Sequence, residues 1–113
     1  MNPLINKQCR DYSKDESPLN LSDIENNRKH IPQWQFCATE NVLCQTFHFK
    51  NYHETIAFVN TVAEVSHKQN HHPDMEVSYN RCKVSFRTHS VNGVTENDFI
   101  CASDINEQIN SKG

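Results

Sequence analysis

Apolar residues in this chain change several times between a spacing of two and a helical spacing, and the order of these changes restricts the possible folds. Alternation of apolar and polar side chains is typical of strands that bury one face. Four segments alternate in this way and predict two β-hairpins, 34–38 with 42–49 and 75–79 with 82–89. Between the hairpins, apolar residues from Ile56 to Val65 follow helical spacing and predict a long helix.

Helix-capping signals predict where three helices begin. A polar N-cap residue is followed three positions later by an acidic residue at Ser22 and Glu25, at Asn51 and Glu54, and at Thr95 and Asp98. Pro73 prevents the second helix from continuing, so we expect His71 and His72 at or just past its end. The predicted order is therefore α-β-β-α-β-β-α. This order favours an α+β fold, a four-stranded antiparallel sheet with three helices packed on one face.

The chain length and the first residues predict the domain organisation. At 113 residues, the chain has the usual size of one domain. Residues 1–18 contain two prolines and mixed charges without periodicity, which predicts a weakly ordered N-terminal tail before a domain at 19–113. The five cysteines include no C-x-x-C pair, which argues against a disulfide framework or a zinc finger.

Charge and hydropathy exclude several partner classes. The net charge of −3 and the absence of a Lys/Arg cluster argue against a nucleic-acid partner, which usually requires a basic patch. No apolar run has the length of a signal peptide or a membrane span, so we expect no membrane partner. The sequence therefore favours a soluble, cytoplasmic protein.

Four of the seven histidines fall within residues 66–89, at His67, His71, His72 and His89. Imidazole binds zinc and nickel, so a metal site is one interpretation, although no carboxylate or thiolate stands at a ligand spacing beside these residues. A second interpretation is solvated polar residues at a helix end, where the helix dipole favours a cation. The His71–His72 pair is fixed by Pro73, which makes a functional role for this pair the stronger hypothesis.

The spacing of these residues resembles that of the pterin-4a-carbinolamine dehydratase family. The matching positions are His67, the His71-His72-Pro73 segment, Tyr79, His89 and Asp98, and the stretches NHHPD, VSYNRC, FRTHS and VTEND are similar to those of the family. The resemblance covers roughly residues 20–110. The family fold has the same order of elements as the one predicted above.

The resemblance implies an enzyme, a hydro-lyase that dehydrates 4a-hydroxytetrahydropterin to quinonoid dihydropterin and water. This step recycles the pterin cofactor of aromatic amino acid hydroxylases, so a protein of that pathway is a possible partner. One group must donate a proton and another must accept one, and histidine, with an ordinary pKa of about 6.5, suits both tasks. The family implies no metal and no organic cofactor, and assembly as a homodimer or homotetramer.

The resemblance also implies roles for individual residues. His71 and His89 are the expected acid/base pair, and His72 is expected to take part by binding and orienting the pterin. The expected substrate-binding residues are His71, His72, Pro73, Thr88, His89, Ser90 and Val91. His67 and Asp98 are expected to support the site. Asp98 is interpreted mainly as the carboxylate of a helix cap, with direct catalysis as the alternative.

Four further features leave alternatives open. Tyr79 is interpreted as a core or wall aromatic residue rather than a proton donor. Many family members have Glu at the position of His67, and many have Trp at the position of Met75, where a lost aromatic residue would weaken pterin stacking. Coupled histidines titrate together, so spacing does not assign the acid and the base.

The family resemblance also carries two competing functions. Some family members act as dimerisation partners of a transcription factor, so a non-catalytic co-activator module is one alternative. Others are linked to the metabolism of the pterin-like molybdenum cofactor, which would change the substrate and keep the site.

Overall fold

The computed structural model describes residues 2–112, which form three α-helices and four β-strands. The elements in chain order are α1 (Leu21–Arg28), β1 (Gln35–Cys37), β2 (Val42–His48), α2 (Tyr52–Gln69), β3 (Asp74–Ser78), β4 (Arg81–Phe86) and α3 (Glu96–Lys112). A single 3₁₀ turn, His89–Val91, lies between β4 and α3. The predicted α+β fold and its order α-β-β-α-β-β-α are confirmed.

The four strands form one antiparallel sheet in the order β1-β2-β4-β3. Leu43 lies opposite Phe86, and Met75 lies opposite Val84, so these side chains share the face that the helices cover. The core contains Trp34 together with residues of the sheet and all three helices, among them Ile24, Leu43, Phe58, Val62, Val84, Phe86, Phe99 and Ile105. The side chains at alternate positions on the other face are mostly polar, which explains the two-residue alternation in the sequence.

The end of α2 fixes the start of the histidine segment. Asn51 caps the beginning of α2 as predicted, since its side-chain oxygen accepts a hydrogen bond from the Glu54 amide at 2.9 Å. At the other end, Asn70 adopts a left-handed conformation with φ 51°, a geometry that asparagine tolerates and that stops the helix. The His71 amide then donates to the Ser66 carbonyl at 3.1 Å. His71 and His72 therefore lie just past the helix, as predicted.

Most predicted strand ends are within one residue of those observed, and two predicted boundaries are wrong by two residues or more. α1 is capped by Asn20 and not by Ser22, because the Asn20 side chain accepts from the Asp23 amide at 2.8 Å and so provides the same cap two residues earlier. The last strand ends at Phe86 and not at His89. The chain turns there because the Thr88 amide donates to the Gly93 carbonyl at 2.8 Å, which closes a loop.

The N-terminal segment contacts the helices in this structure. Leu4 is buried in the core, and the Asn2 amide group donates to the Ser103 hydroxyl of α3 at 2.7 Å. The Leu19 amide donates to the Val94 carbonyl at 2.8 Å, just after the loop that follows β4. The weak order of residues 1–18 and the domain boundary at 19 stay predictions, and Met1 and Gly113 lie outside the described residues.

Gly93 is a second point at which the N-terminal segment touches the loop after β4. A Cβ atom at Gly93 would lie 2.7 Å from the Cβ of Pro18, and a proline ring cannot rotate away. Overpacking of this kind typically costs about 1–3 kcal/mol. We therefore expect Gly93→Ala to lower the free energy of unfolding by about that amount in urea titrations. Ser90→Ala, an exposed change in the same loop, is the control and should change it by less than about 0.5 kcal/mol. An unchanged unfolding midpoint for Gly93→Ala would contradict the packing.

Candidate active site

His71 is held in one orientation by two contacts. Its ring stacks on Phe86, with centroids 6.0 Å apart and an interplanar angle of 10°. Its Nε2 atom lies 2.6 Å from the Asp98 carboxylate, and only 12% of the His71 side chain is exposed. Because an ionised carboxylate only accepts hydrogen bonds, Nε2 carries the hydrogen in the neutral ring. Nδ1, which has no partner within residues 2–112, is then free to accept a proton.

Asp98 is fully buried and accepts hydrogen bonds from three groups. One oxygen accepts from His71, and the other accepts from the Thr95 amide at 2.9 Å and the Thr88 hydroxyl at 3.0 Å. The Thr95 amide bond is one half of the predicted capping box at the start of α3. The same carboxylate therefore links the helix cap to the imidazole. Its three hydrogen bonds compensate for the free-energy cost of burying a carboxylate.

An open cleft of about 510 Å³ lies in front of His71. Six of the seven predicted substrate-binding residues line it, namely His71, His72, Pro73, Thr88, His89 and Ser90. His72 and His89 are exposed, so their imidazoles are open to the cleft and to solvent. The structure thus brings together three of the four histidines of the 66–89 stretch, although they come from two separate segments of the chain.

The remaining predicted residues lie elsewhere. Val91 is half-buried and does not line the cleft, and His67 is exposed on the last turn of α2, also outside the lining. Met75 packs against the core from the covered face of the sheet. Tyr79 is 63% exposed and stacks on Tyr52 at 6.3 Å, so the interpretation as a core or cleft-wall residue is wrong. It lies in the tight turn that joins β3 to β4, directly after the Ser78–Arg81 pair.

Several residues of the cleft were missed from the sequence. Arg10, Asp11 and Tyr12 of the N-terminal segment line the cleft, as does Asn97 from the first turn of α3. Asn97 could have been found from its place beside Asp98 in the predicted first turn. The N-terminal residues have no periodicity and no motif, so no signal in the sequence connected them with the histidines.

Cys101 is a cysteine beside the backbone of His71, and its thiol is unreactive. Cys101 on α3 is buried and contacts the Cys9 sulfur at 3.7 Å, and its sulfur lies 3.9 Å from the His71 carbonyl oxygen. The hydrogen bond with Cys9 and burial both raise the pKa of Cys101 well above the ordinary value of a thiol. Cys101 therefore stays protonated at neutral pH, and a thiolate nucleophile is not available at this position.

The arrangement suits proton transfer. An imidazole oriented by a buried carboxylate is a suitable general base, and the two exposed imidazoles in the same cleft are further groups that can donate or accept a proton. Across residues 2–112, no three His, Cys, Asp or Glu side chains converge in a way that could hold a metal ion. In the same part of the chain, no helix is both long and apolar enough to cross a bilayer.

Comparison with known proteins gives a consistent result. The sequence profile described as "Pterin 4 alpha carbinolamine dehydratase" matches residues 17–108. A Nitrosomonas eutropha protein named "Putative pterin-4-alpha-carbinolamine dehydratase" is 46% identical over 103 residues, covering 90% of this chain and 89% of its own. A Legionella pneumophila protein of the same name is 41% identical over 105 residues, covering 92% and 93%.

Solved structures agree with this result. The crystal structure of a transcriptional coactivator/pterin dehydratase from Brucella melitensis superposes with a TM-score of 0.76 at 31% identity, covering 80% of this chain and 97% of that one. A pterin dehydratase-like protein described as a RuBisCO assembly factor in the alpha-carboxysome has a TM-score of 0.57 at 18% identity, covering 66% and 87%, a likeness of fold alone. Profile, relatives and fold together show that this chain belongs to the pterin-4a-carbinolamine dehydratase family.

Proposed function

We propose that this protein dehydrates 4a-hydroxytetrahydropterin to quinonoid dihydropterin and water, in the recycling of the cofactor of aromatic amino acid hydroxylases. The observation that carries the proposal is the His71 imidazole, oriented by the buried Asp98 carboxylate at the edge of a cleft that His72 and His89 also line. The family supports the substrate class. The histidines supply the groups that donate and accept protons.

The reaction needs two proton transfers and no change of oxidation state. A proton reaches the C4a hydroxyl as the C4a–O bond breaks, and water leaves. The proton on N5 is removed, and the electron pair left on N5 forms the C4a–N5 double bond. His71 and His89 share the roles of acid and base in this proposal, and His72 binds and orients the pterin. Positioned acid/base groups typically contribute about 10²–10⁴-fold to the rate.

The first test follows the decay of freshly generated 4a-hydroxytetrahydropterin by ultraviolet absorbance, with and without the protein and with and without EDTA. We expect acceleration that EDTA leaves unchanged, because the proposed steps use only side-chain proton transfer. A loss of rate in EDTA that zinc restores would instead favour a metal site. No acceleration by a folded protein would contradict the proposal and would favour the non-catalytic co-activator module.

The proposal includes a homodimer or homotetramer in the cytoplasm. Two exposed apolar side chains on or beside the outer strand β3 support assembly, since Val77 is 43% and Tyr79 is 63% exposed. Outer strands of a sheet readily pair with another copy. Light scattering on the eluted protein should give a mass of two or four chains, and a stable monomer would contradict this part of the proposal.

A further inference from the structure

The N-terminal segment Cys9–Tyr12 forms one wall of the cleft and is attached to the helices that carry the acid/base residues. The Cys9 amide donates to the Gln69 side chain at the end of α2 at 2.8 Å. The Arg10 amide donates to the Asn97 side chain at 3.0 Å, and the Asn97 amide group donates back to the Arg10 carbonyl at 2.6 Å. Gln69 and Asn97 are both buried. The wall is therefore tied to the ends of α2 and α3 that hold His71 and Asp98.

The ring of Tyr12 is the one aromatic side chain in this wall. The Arg10 guanidinium lies over it, 3.7 Å from the ring centroid, and is itself held by two hydrogen bonds to Glu16 at 3.0 and 3.3 Å. Hydrogen bonds from Arg10 and from the Ser13 amide lower the pKa of Glu16, so this carboxylate stays ionised at neutral pH. Tyr12 is half-buried, and the guanidinium occupies one face of its ring.

We infer that Tyr12 is a substrate-binding residue, whose ring stacks on the flat pterin and positions it in front of His71. This inference rests on the proposed function. The pterin is a planar bicyclic ring, and such rings stack on aromatic side chains in preference to aliphatic ones. Among the residues that line the cleft, Tyr12 is the only non-histidine aromatic residue that the structure describes. Met75 packs against the core and does not line the cleft.

Loss of the ring should weaken binding without slowing the chemical step. Stacking on an aromatic ring acts in the ground state and in the transition state alike, so its removal raises KM and leaves kcat nearly unchanged. We expect Tyr12→Ala and Tyr12→Leu to raise KM about ten-fold, the size usual for one stacked base. Tyr12→Phe keeps the ring and should stay within about two-fold of the wild type. Tyr12→Leu keeps the apolar volume and so separates stacking from simple packing.

The test combines steady-state dehydration kinetics with equilibrium binding of 7,8-dihydrobiopterin, a pterin without the 4a-hydroxyl group, measured by fluorescence titration. Tyr52→Ala is the matched control, because Tyr52 is 52% exposed at the other end of α2 and lies outside the cleft lining. It should leave both KM and the dihydrobiopterin affinity unchanged. Circular dichroism checks that each variant is folded.

The outcomes separate this inference from the proposed function. If wild-type protein binds dihydrobiopterin through Tyr12 but does not accelerate dehydration, Tyr12 is supported and the proposed reaction is not. If dehydration is accelerated and folded Tyr12→Ala and Tyr12→Leu keep the wild-type KM and affinity, the role of Tyr12 is overturned and the reaction stands. Absence of dihydrobiopterin binding and of catalysis in the wild type would overturn both.

Discussion

Replacing His71 by alanine is expected to lower kcat/KM for dehydration by about 10²–10⁴-fold, the usual contribution of a positioned acid/base group. His71 is the histidine that the structure orients most firmly, between the Phe86 ring and the buried Asp98 carboxylate. Alanine removes the Nδ1 lone pair that points away from this carboxylate, and the exposed His72 cannot supply an equally fixed base. The decay of 4a-hydroxytetrahydropterin, measured at several substrate concentrations, gives kcat/KM for the wild type and for His71→Ala.

A matched histidine variant shows whether the loss is specific. His53→Ala removes an exposed imidazole from the first turn of α2, at the end away from the cleft, and should stay within about two-fold of the wild type. His89→Ala should lose activity to a similar extent as His71→Ala. Since residues that act as a unit are non-additive, the double variant should fall much less than the product of the two losses. A folded His71→Ala protein that keeps more than a tenth of the wild-type kcat/KM would contradict the assignment.

Local signals predicted most of the fold because they depend on neighbouring residues alone. The capping pairs Asn51–Glu54 and Thr95–Asp98 are three residues apart, and both are seen at the predicted helix starts. The same reasoning failed for α1 because Asn20 provides an equivalent cap two residues before Ser22. When two neighbouring residues can both cap a helix, packing against the rest of the protein decides between them. The spacing of residues does not predict that packing.

The parts of the cleft that the sequence did not predict depend on contacts between distant segments. The bond between His71 and Asp98 joins residues 27 positions apart. The spacing indicated a helix cap for Asp98, and only the family resemblance implied that it supports the site. The bonds that attach Arg10 to Asn97 span 87 positions. These contacts use single amide or carboxylate side chains, which leave no periodic pattern. A segment without periodicity can therefore form a wall of the cleft, and the sequence gives no sign of it.

Asp98→Asn is expected to reduce kcat/KM by about 10²–10⁴-fold while the protein stays folded. The amide oxygen can still accept from the Thr95 amide and the Thr88 hydroxyl, so much of the helix cap survives. The amide nitrogen then faces His71 Nε2 at the position where an acceptor stood. Two donors cannot share one hydrogen bond, so His71 shifts to the tautomer with the hydrogen on Nδ1. In the proposed mechanism, the His71 nitrogen that is open to the substrate then becomes a donor and can no longer accept a proton.

This tautomer change distinguishes positioning of His71 from a purely structural role of Asp98. Nitrogen-15 shifts of the neutral imidazole should report hydrogen on Nε2 in the wild type and on Nδ1 in Asp98→Asn. Thr95→Ala is the control, because it removes the capping hydroxyl and its 2.7 Å bond with the Thr88 hydroxyl, costs about 1 kcal/mol of stability and removes neither partner of the His71–Asp98 bond. It should keep the wild-type tautomer and kcat/KM within about three-fold. If Asp98→Asn kept the wild-type tautomer and rate, the carboxylate would serve the helix cap alone.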